Sequence, residues 1–413
     1  LTKVYEVEIL IKGSFELMKQ LNISVVLKAV MGNGALSRAD IAKITGLTPA
    51  TITNITKELM ERGYLVQSRI GESSGGRPPI ILELDPNARY IIGVSIGVGK
   101  IEVVISNIIA EILIKKSVDL ENQDRNKDNV LSIIVNLVNE IIDESGIHKE
   151  KIIGMGIAMH GIVNSYTGIS EYSPYYGWRN IDIKKELSEK IEYPIFLDND
   201  VRAMALGESW FGIAKSKENF IVINVSNGIG AGIIIDNKPY YGVNFSAGEI
   251  GHISVRNDGR RCNCGNYGCL ETISSNNSIV EKVVELLKND FQSILLKKGS
   301  IERITIKDIC DAAKEKDSLA VNAIAEAAMY IGMVISNLIN ILNPEYIIMV
   351  GEIFKDNSHA IEIIEEEVSK RALKLSAETV RITKSSLEED AATIGAVTLV
   401  IKELFEGEKI VFN

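Results

Sequence analysis

The stretch 248–272, G-E-I-G-H-I-S-V-R-N-D-G-R-R-C-N-C-G-N-Y-G-C-L-E-T, gathers most of the residues in this chain that could do chemistry. It puts His252, Cys262, Cys264 and Cys269 in one short segment broken by glycines. One imidazole and three sulfurs are a sufficient tetrahedral donor set for Zn²⁺, and the glycines let the backbone fold back around an ion. Cys-x-Cys-x4-Cys with a histidine upstream is a demanding pattern in a chain with 4 cysteines. The alternative is three buried cysteines near an unrelated histidine. A closed Cys3His site is structural rather than catalytic, so the metal should hold a loop that carries two flanking carboxylates, Glu249 and Glu271.

Those groups need a scaffold, and composition bounds it. The chain has 413 residues, enough for two or three cores. Hydrophobic content of 46% with 24% charged residues is ordinary for a globular protein. Lys3, Glu6, Glu8 and Lys12 argue against a signal peptide, and cysteines clustered for a metal point to a reducing cytoplasm. The uncharged run 219–235 is interrupted by polar residues and glycines, which argues against a membrane span. Cys310, among apolar helical positions, reads as core. The net charge of −10 is uneven: residues 1–90 carry 11 Lys+Arg against 9 Asp+Glu, leaving 34 against 46 in the remainder. A mildly positive head on an acidic body suggests that the head alone approaches an anionic polymer.

The head has its own grammar. Residues 15–31 read as a helix with one apolar face, ended by Gly32 and Gly34. Ser37-Arg-Ala-Asp40 has the form of a capping box opening a short helix, and Gly46 supplies a turn. Thr48 and Pro49 then start a third helix whose Ile52, Ile55 and Leu59 face inward at helical spacing, with Gly63 as its end. Ala50, Thr51, Thr53, Asn54 and Lys57 are left outward, the arrangement of a helix-turn-helix. Two strands, 64–70 and 79–84, joined by a Gly-rich tip bearing Arg77, make a wing. Operator DNA is the expected partner, and a three-helix module for protein contacts is the alternative. Asp85–Ala88 marks the boundary, giving a winged helix-turn-helix over 1–87.

From Tyr90 the pattern changes to α/β. An apolar strand, a Gly turn and a second apolar strand fill 90–107; a helix spans 129–144, and strands follow at 152–158 and 194–200. Strand, Gly loop and strand recur at 220–236, then a long small-residue helix at 318–342 and a strand at 346–350. Two similar halves predict a duplicated body with a cleft between lobes: 88–198 with a C-terminal helix at 390–405, and 199–389.

Residues 90–400 resemble the ROK family of sugar kinases and repressors, within the actin-like ATPase fold. G-E-I-G-H followed by C-N-C-G-N-Y-G-C-L-E-T carries that resemblance, with H-G-I-V-N-S-Y-T-G, S-P-Y-Y-G-W, D-N-D-V-R-A-M-A-L-G-E and S-N-G-I-G-A-G beside it. With the winged helix ahead, the whole chain is similar to the family's transcriptional repressors, the group acting in xylose and N-acetylglucosamine metabolism. The resemblance implies a monosaccharide site at Asn199, Asp200, Glu249, His252 and Glu271, whose carboxylates and imidazole suit vicinal hydroxyls. His252 can serve twice, one nitrogen on zinc and the other toward the sugar. It also implies a homodimer or higher homo-oligomer.

In the family's kinases the residue matching Asp200 is the general base. The nucleotide side departs from that pattern: D-x-G-G-T is replaced by Ser95-Ile96-Gly97-Val98-Gly99, a Thr by Asn227, and a Gly pair by Gly351-Glu352. Losing the carboxylate removes a group that organises Mg²⁺, and Val98 crowds a phosphate cradle. His160 replaces a proline in the family's P-G-x-V-D loop, where it either alters sugar preference or fills the loop. The expectation is a zinc-containing, sugar-responsive repressor of carbohydrate genes, with Asp200 a vestigial base and xylose, glucose or N-acetylglucosamine as effector. The alternatives are an ATP-dependent, glucokinase-like sugar kinase with a fused DNA-binding head, and a DNA-binding scaffold with a vestigial cleft.

Overall fold

A computed structural model describes residues 15–70, 78–120, 125–355 and 358–406. Arg77 and the wing tip fall outside the described residues. The three head helices are Phe15–Asn33, Arg38–Thr45 and Pro49–Glu61. The second begins with a reciprocal box: Ser37 Oγ accepts from the Asp40 amide, and the Asp40 carboxylate accepts from the Ser37 amide. Gly46 takes φ 70°, a left-handed cap that turns the chain into the third helix. That helix ends at Glu61 with Arg62 as its right-handed cap; Gly63, at φ 77°, turns the next residues into the wing. Strands Leu36–Ser37, Ile80–Leu84 and Leu65–Ile70 form a three-stranded sheet in that spatial order.

The body holds two five-stranded sheets with the same wiring. In the first, Tyr90–Ile96 is central. It pairs antiparallel with Lys100–Asn107, which pairs with Ile112–Asp119; on its other side lie parallel Ile152–Met159 and then Ile195–Asn199. In the second, Phe220–Val225 takes the central place. Antiparallel Ile229–Ile235 and Lys238–Pro239 flank one side, parallel Tyr346–Val350 and Arg381–Lys384 the other. Both central strands are apolar runs buried on both faces, as parallel pairing covered by helices requires. The duplication expected from the recurring Gly loops is therefore real at the level of topology. Ile112–Asp119 and a small antiparallel sheet of Ile162–Asn164, Ile169–Ser173 and Trp178–Asp182 were not anticipated.

Helix Asp200–Trp210 crosses onto the second sheet, where Val201, Met204 and Ala205 pack with Phe220, Val222, Ile234 and Ile348. The C-terminal helix, Ala391–Glu406, runs against it and against the first sheet. Small residues set this crossing: a Cβ on Gly156 would lie 1.8 Å from the Ala396 carbonyl, and one on Gly395 2.4 Å from the Ala203 backbone. Farther along, Val397, Val400, Ile401, Leu404 and Phe405 join one apolar core with Ile23, Val26, Leu27 and Val30 of the first head helix. Head and body thus share a core rather than hanging on a linker. Among the described residues one helix, Ser318–Leu342, is long and apolar enough to cross a membrane by length and composition alone. Its Ala327, Ile331, Ile335 and Ile339 are buried in the core of the second half.

Candidate functional site

Between the two sheets lies a cleft of about 510 Å³, and it divides into two ends by chemistry. At one end, strand Ile195–Asn199 meets helix Asp200–Trp210. Asn199 caps the helix: its Oδ1 accepts from the Val201 and Arg202 amides at 3.0 and 3.1 Å. Its amide nitrogen donates to the Gly161 carbonyl and to Asp200 Oδ1, both at 3.0 Å. With oxygen and both hydrogens engaged, Asn199 holds Asp200 in place at the rim of the site. Asp200 also accepts from the Val201 amide, yet burial, reinforced by the Glu249 charge, raises its pKa to about 6. Glu249 and Glu271 are likewise raised by burial, so three carboxyls face one space with weakened acidity.

The opposite wall is the cysteine loop. The four ligand atoms of His252, Cys262, Cys264 and Cys269 lie within 4.8 Å of one another. His252 Nδ1 is 3.6 Å from Cys262 Sγ, and Cys264 Sγ is 3.7 Å from Cys269 Sγ. Edges of ~3.5–3.8 Å are what a tetrahedron of Zn–S and Zn–N bonds produces. The donor set fits a metal. His252 turns its other nitrogen, Nε2, toward Glu249 at 4.0 Å, so the ring can join a metal to the cleft. Gly268, at φ 64°, must be glycine, because a Cβ there would sit 1.7 Å from the Arg256 carbonyl. Glu271 opens a one-turn helix two residues after Cys269, and its carboxylate accepts from the Ile229 amide at 3.3 Å.

Arg202 is a site residue the sequence reading did not single out. Its guanidinium is almost wholly buried and pairs with Asp198 at 2.7 Å. It donates to the Phe245 and Val163 carbonyls, each at 2.8 Å, tying loops from both halves to the helix that starts at Asp200. His160 lines the cleft and has both ring nitrogens engaged. Nδ1 faces the Ile96 carbonyl at 3.2 Å and so carries the proton, while Nε2 accepts from the Ser173 hydroxyl at 2.8 Å. Burial lowers its pKa to about 4, keeping it neutral.

At the other end of the cleft the phosphate-loop positions are put to different use. The Gly97 amide donates to the Lys100 carbonyl at 2.9 Å, closing a tight hairpin. In the strand that follows the second loop, Gly232 is demanded by packing, since a Cβ would meet the Val201 carbonyl at 2.3 Å. The lining charges across the whole cleft are Asp200, Glu249, Glu271, Glu352, Glu388 and Glu389 against Lys355 and Lys384. Lys355 is paired with Glu389 at 3.3 Å, and Lys384 donates to the Lys355 carbonyl at 3.2 Å. Such a wall favours neutral hydroxyls over a polyphosphate.

In the head, Thr53, Asn54 and Lys57 are exposed along the third helix. Thr51 is half-buried, its hydroxyl 2.9 Å from that of Thr48, so it takes part in the cap. The Thr53 hydroxyl donates back to the Pro49 carbonyl at 2.8 Å. Lys57 meets Glu61 at 3.8 Å, a pair exposed enough to yield its cation to a phosphate.

Residues 91–403 match the ROK family and residues 24–66 a winged helix-turn-helix DNA-binding family. A xylose repressor of Caldicellulosiruptor bescii is 32% identical, covering 95% of this chain and 98% of its own. The DNA-binding transcriptional dual regulator NagC of Escherichia coli is 32% identical over 96% of both. Among solved structures, a ROK family transcriptional regulator homologous to the E. coli MLC protein superposes with TM-score 0.83, at 31% identity over 94% of this chain and 97% of that one. A ROK family glucokinase from Streptomyces griseus, in complex with glucose and AMPPNP, gives 0.68 at 26% identity, over 75% of this chain and 98% of its own.

Proposed function

Because the chain belongs to the ROK family and carries a winged helix-turn-helix, we propose that it is a sugar-responsive transcriptional repressor of carbohydrate-utilisation genes. The observation that supports this reading is one cleft in which Asp200, Glu249, His252 and Glu271 converge beside the Cys3His cluster, while the far end is lined by Glu352, Glu388 and Glu389 against Lys355 and Lys384. A monosaccharide of the xylose, glucose or N-acetylglucosamine class would be held by those four residues, with Asn199 and Arg202 positioning Asp200. Zn²⁺ on His252, Cys262, Cys264 and Cys269 would order the wall, leaving His252 Nε2 for the sugar. No catalytic residue is assigned, and Asp200 stands as a vestigial base. The head comprises residues 1–87, the first lobe 88–198 with 390–405, and the second lobe 199–389. The protein works in the cytoplasm as a homodimer or higher homo-oligomer.

One winged helix buries a modest interface, so two heads should read a palindromic operator. Thr51 and Asn54 face base edges with Thr53 beside them, and Lys57 and Arg77 act on phosphate or the minor groove. A sugar can act only through unequal affinity for the DNA-competent and incompetent states. Fluorescence anisotropy on operator DNA across a sugar series tests this. Sugar should weaken operator binding in the wild type and not in Asp200→Ala. Asn54→Ala should relax sequence preference by ~1–3 kcal/mol, and Lys57→Ala should weaken all sequences alike. Operator affinity indifferent to every sugar that fills the cleft would overturn the reading.

A further inference from the structure

Two neighbouring tyrosines in the loop between Ile169–Ser173 and Trp178–Asp182 reach in opposite directions. Tyr176 donates its hydroxyl to the Gly97 carbonyl, in the first Gly loop, at 2.7 Å. Tyr175 donates to the Asn227 carbonyl, in the second Gly loop, also at 2.7 Å. The first bond stays within the half built on the first sheet; the second spans the cleft. We propose that Tyr175 is a clasp across the cleft, doing with one phenol what a nucleotide would do by bridging both Gly loops. It would set the closed spacing at which sugar is held and DNA released.

The loop has little slack. Tyr176 stacks on His160 at 4.9 Å and 28°, and lies 4.8 Å from Trp178. Trp178 Nε1 donates to the Arg125 carbonyl at 3.1 Å, and Tyr175 stands edge-on to His160 at 5.8 Å and 71°. The Tyr175 hydroxyl is therefore held by the first half, and its bond to the second forms at one separation of the walls. The receiving loop is tied to the sugar end. A Cβ on Gly228 would lie 3.0 Å from Glu271 Oε2 and 3.9 Å from the Tyr175 hydroxyl, and Glu271 also takes the Ile229 amide. Whatever displaces Glu271 moves the clasp's acceptor. Tyr175 is a positioning residue, and the proposal rests on the reading of the cleft as a sugar site.

The test uses the full-length protein with Tyr175→Phe and Tyr176→Phe, each of which keeps the ring and removes one hydroxyl. By calorimetry with the monosaccharide that binds wild type best, Tyr175→Phe should lower affinity about fivefold, the effect of one hydrogen bond. It should raise the sugar concentration for operator release by a similar factor and tighten, rather than weaken, sugar-free operator binding. Tyr176→Phe should move these by less than about twofold. In the sugar-free protein, amide exchange at residues 226–229 should quicken in Tyr175→Phe alone. Equal effects from both variants, or undisturbed exchange in Tyr175→Phe, overturn the clasp. Should no monosaccharide bind wild type, the sugar-site reading fails, and exchange at the second loop still decides whether the clasp exists.

Discussion

The two ends of the cleft are built from similar parts and have gone separate ways. Each begins where a strand of a five-stranded sheet ends, and each presents backbone amides and short polar side chains. At the sugar end Asn199 fastens Asp200, Arg202 holds the Val163 and Phe245 carbonyls, the Ile229 amide holds Glu271, and Glu249 faces His252 at 4.0 Å. At the other end Gly97 closes a hairpin and Lys355 pairs with Glu389, while Gly232, behind the cleft wall, serves helix packing. Retained glycines are thus no measure of retained chemistry, because packing alone can require them. What separates the ends is which groups line them: three carboxyls and an imidazole at one, and partly paired acids and lysines at the other.

The largest expected effect tests that contrast directly. With ATP·Mg²⁺ and the best-bound sugar, a coupled assay should show phosphorylation at least a thousandfold below the order of 10 s⁻¹ typical of enzymes. Ordinary turnover abolished by Asp200→Asn would erase the distinction between the ends. Next in size is the metal. Purified protein should carry about one zinc per chain, and Cys264→Ser should lose it, lower the melting temperature and weaken sugar binding about tenfold. Metal-free protein with full sugar affinity would show that the cysteine loop does not brace the site.

The smallest effect sharpens the electrostatics of the sugar end. The folded-state pKa of Asp200, about 6, stands above its ordinary value of 3.8, so the folded protein binds this proton more tightly than the unfolded chain. Stability from this group is full below pH 4 and is lost as pH rises toward 6. Asp200→Asn, which cannot ionise, should therefore stabilise the sugar-free protein at pH 7 by about 1–3 kcal/mol while impairing sugar binding. An ionised carboxylate accepts from sugar hydroxyls more strongly than the neutral acid, so wild-type sugar affinity should fall as pH drops through 6. Denaturant melts and calorimetry at pH 5 and 7.5 measure both; a destabilised Asp200→Asn would refute the buried-charge account.

Much of this molecule was legible in its residues, for reasons that differ by region. Ser37, Asp40, Thr48 and Pro49 each satisfy or pre-empt a helix-terminal amide, so the head could be read from local rules. The paired Gly loops between β-branched runs revealed the duplicated sheets, and the cysteine spacing revealed the metal-type cluster. Thr51 faced outward by periodicity alone, yet its hydroxyl belongs to the helix cap. The small sheet over the cleft escaped because its strands are three to five residues long, too short for alternation to register. Tyr175 escaped for another reason: its partner is a backbone carbonyl about 50 residues away, which leaves no side-chain signature; Arg202 has the nearby Asp198, but its carbonyl partners lie about 40 residues away. Arg77 lies outside the described residues, and its role remains the proposal made above.

The C-terminal helix imposes an order on synthesis. The ribosome makes the head helices and the first sheet before Val397, Val400, Ile401, Leu404 and Phe405, which complete the core they share. Until then the first head helix packs against Ile41, Ile52 and Leu59 of its own head but lacks the cover of the C-terminal helix, and the nascent head cannot settle at its final angle to the body. A chain truncated before residue 391 would keep the head helices and both five-stranded sheets and lose the helix through which they share a core.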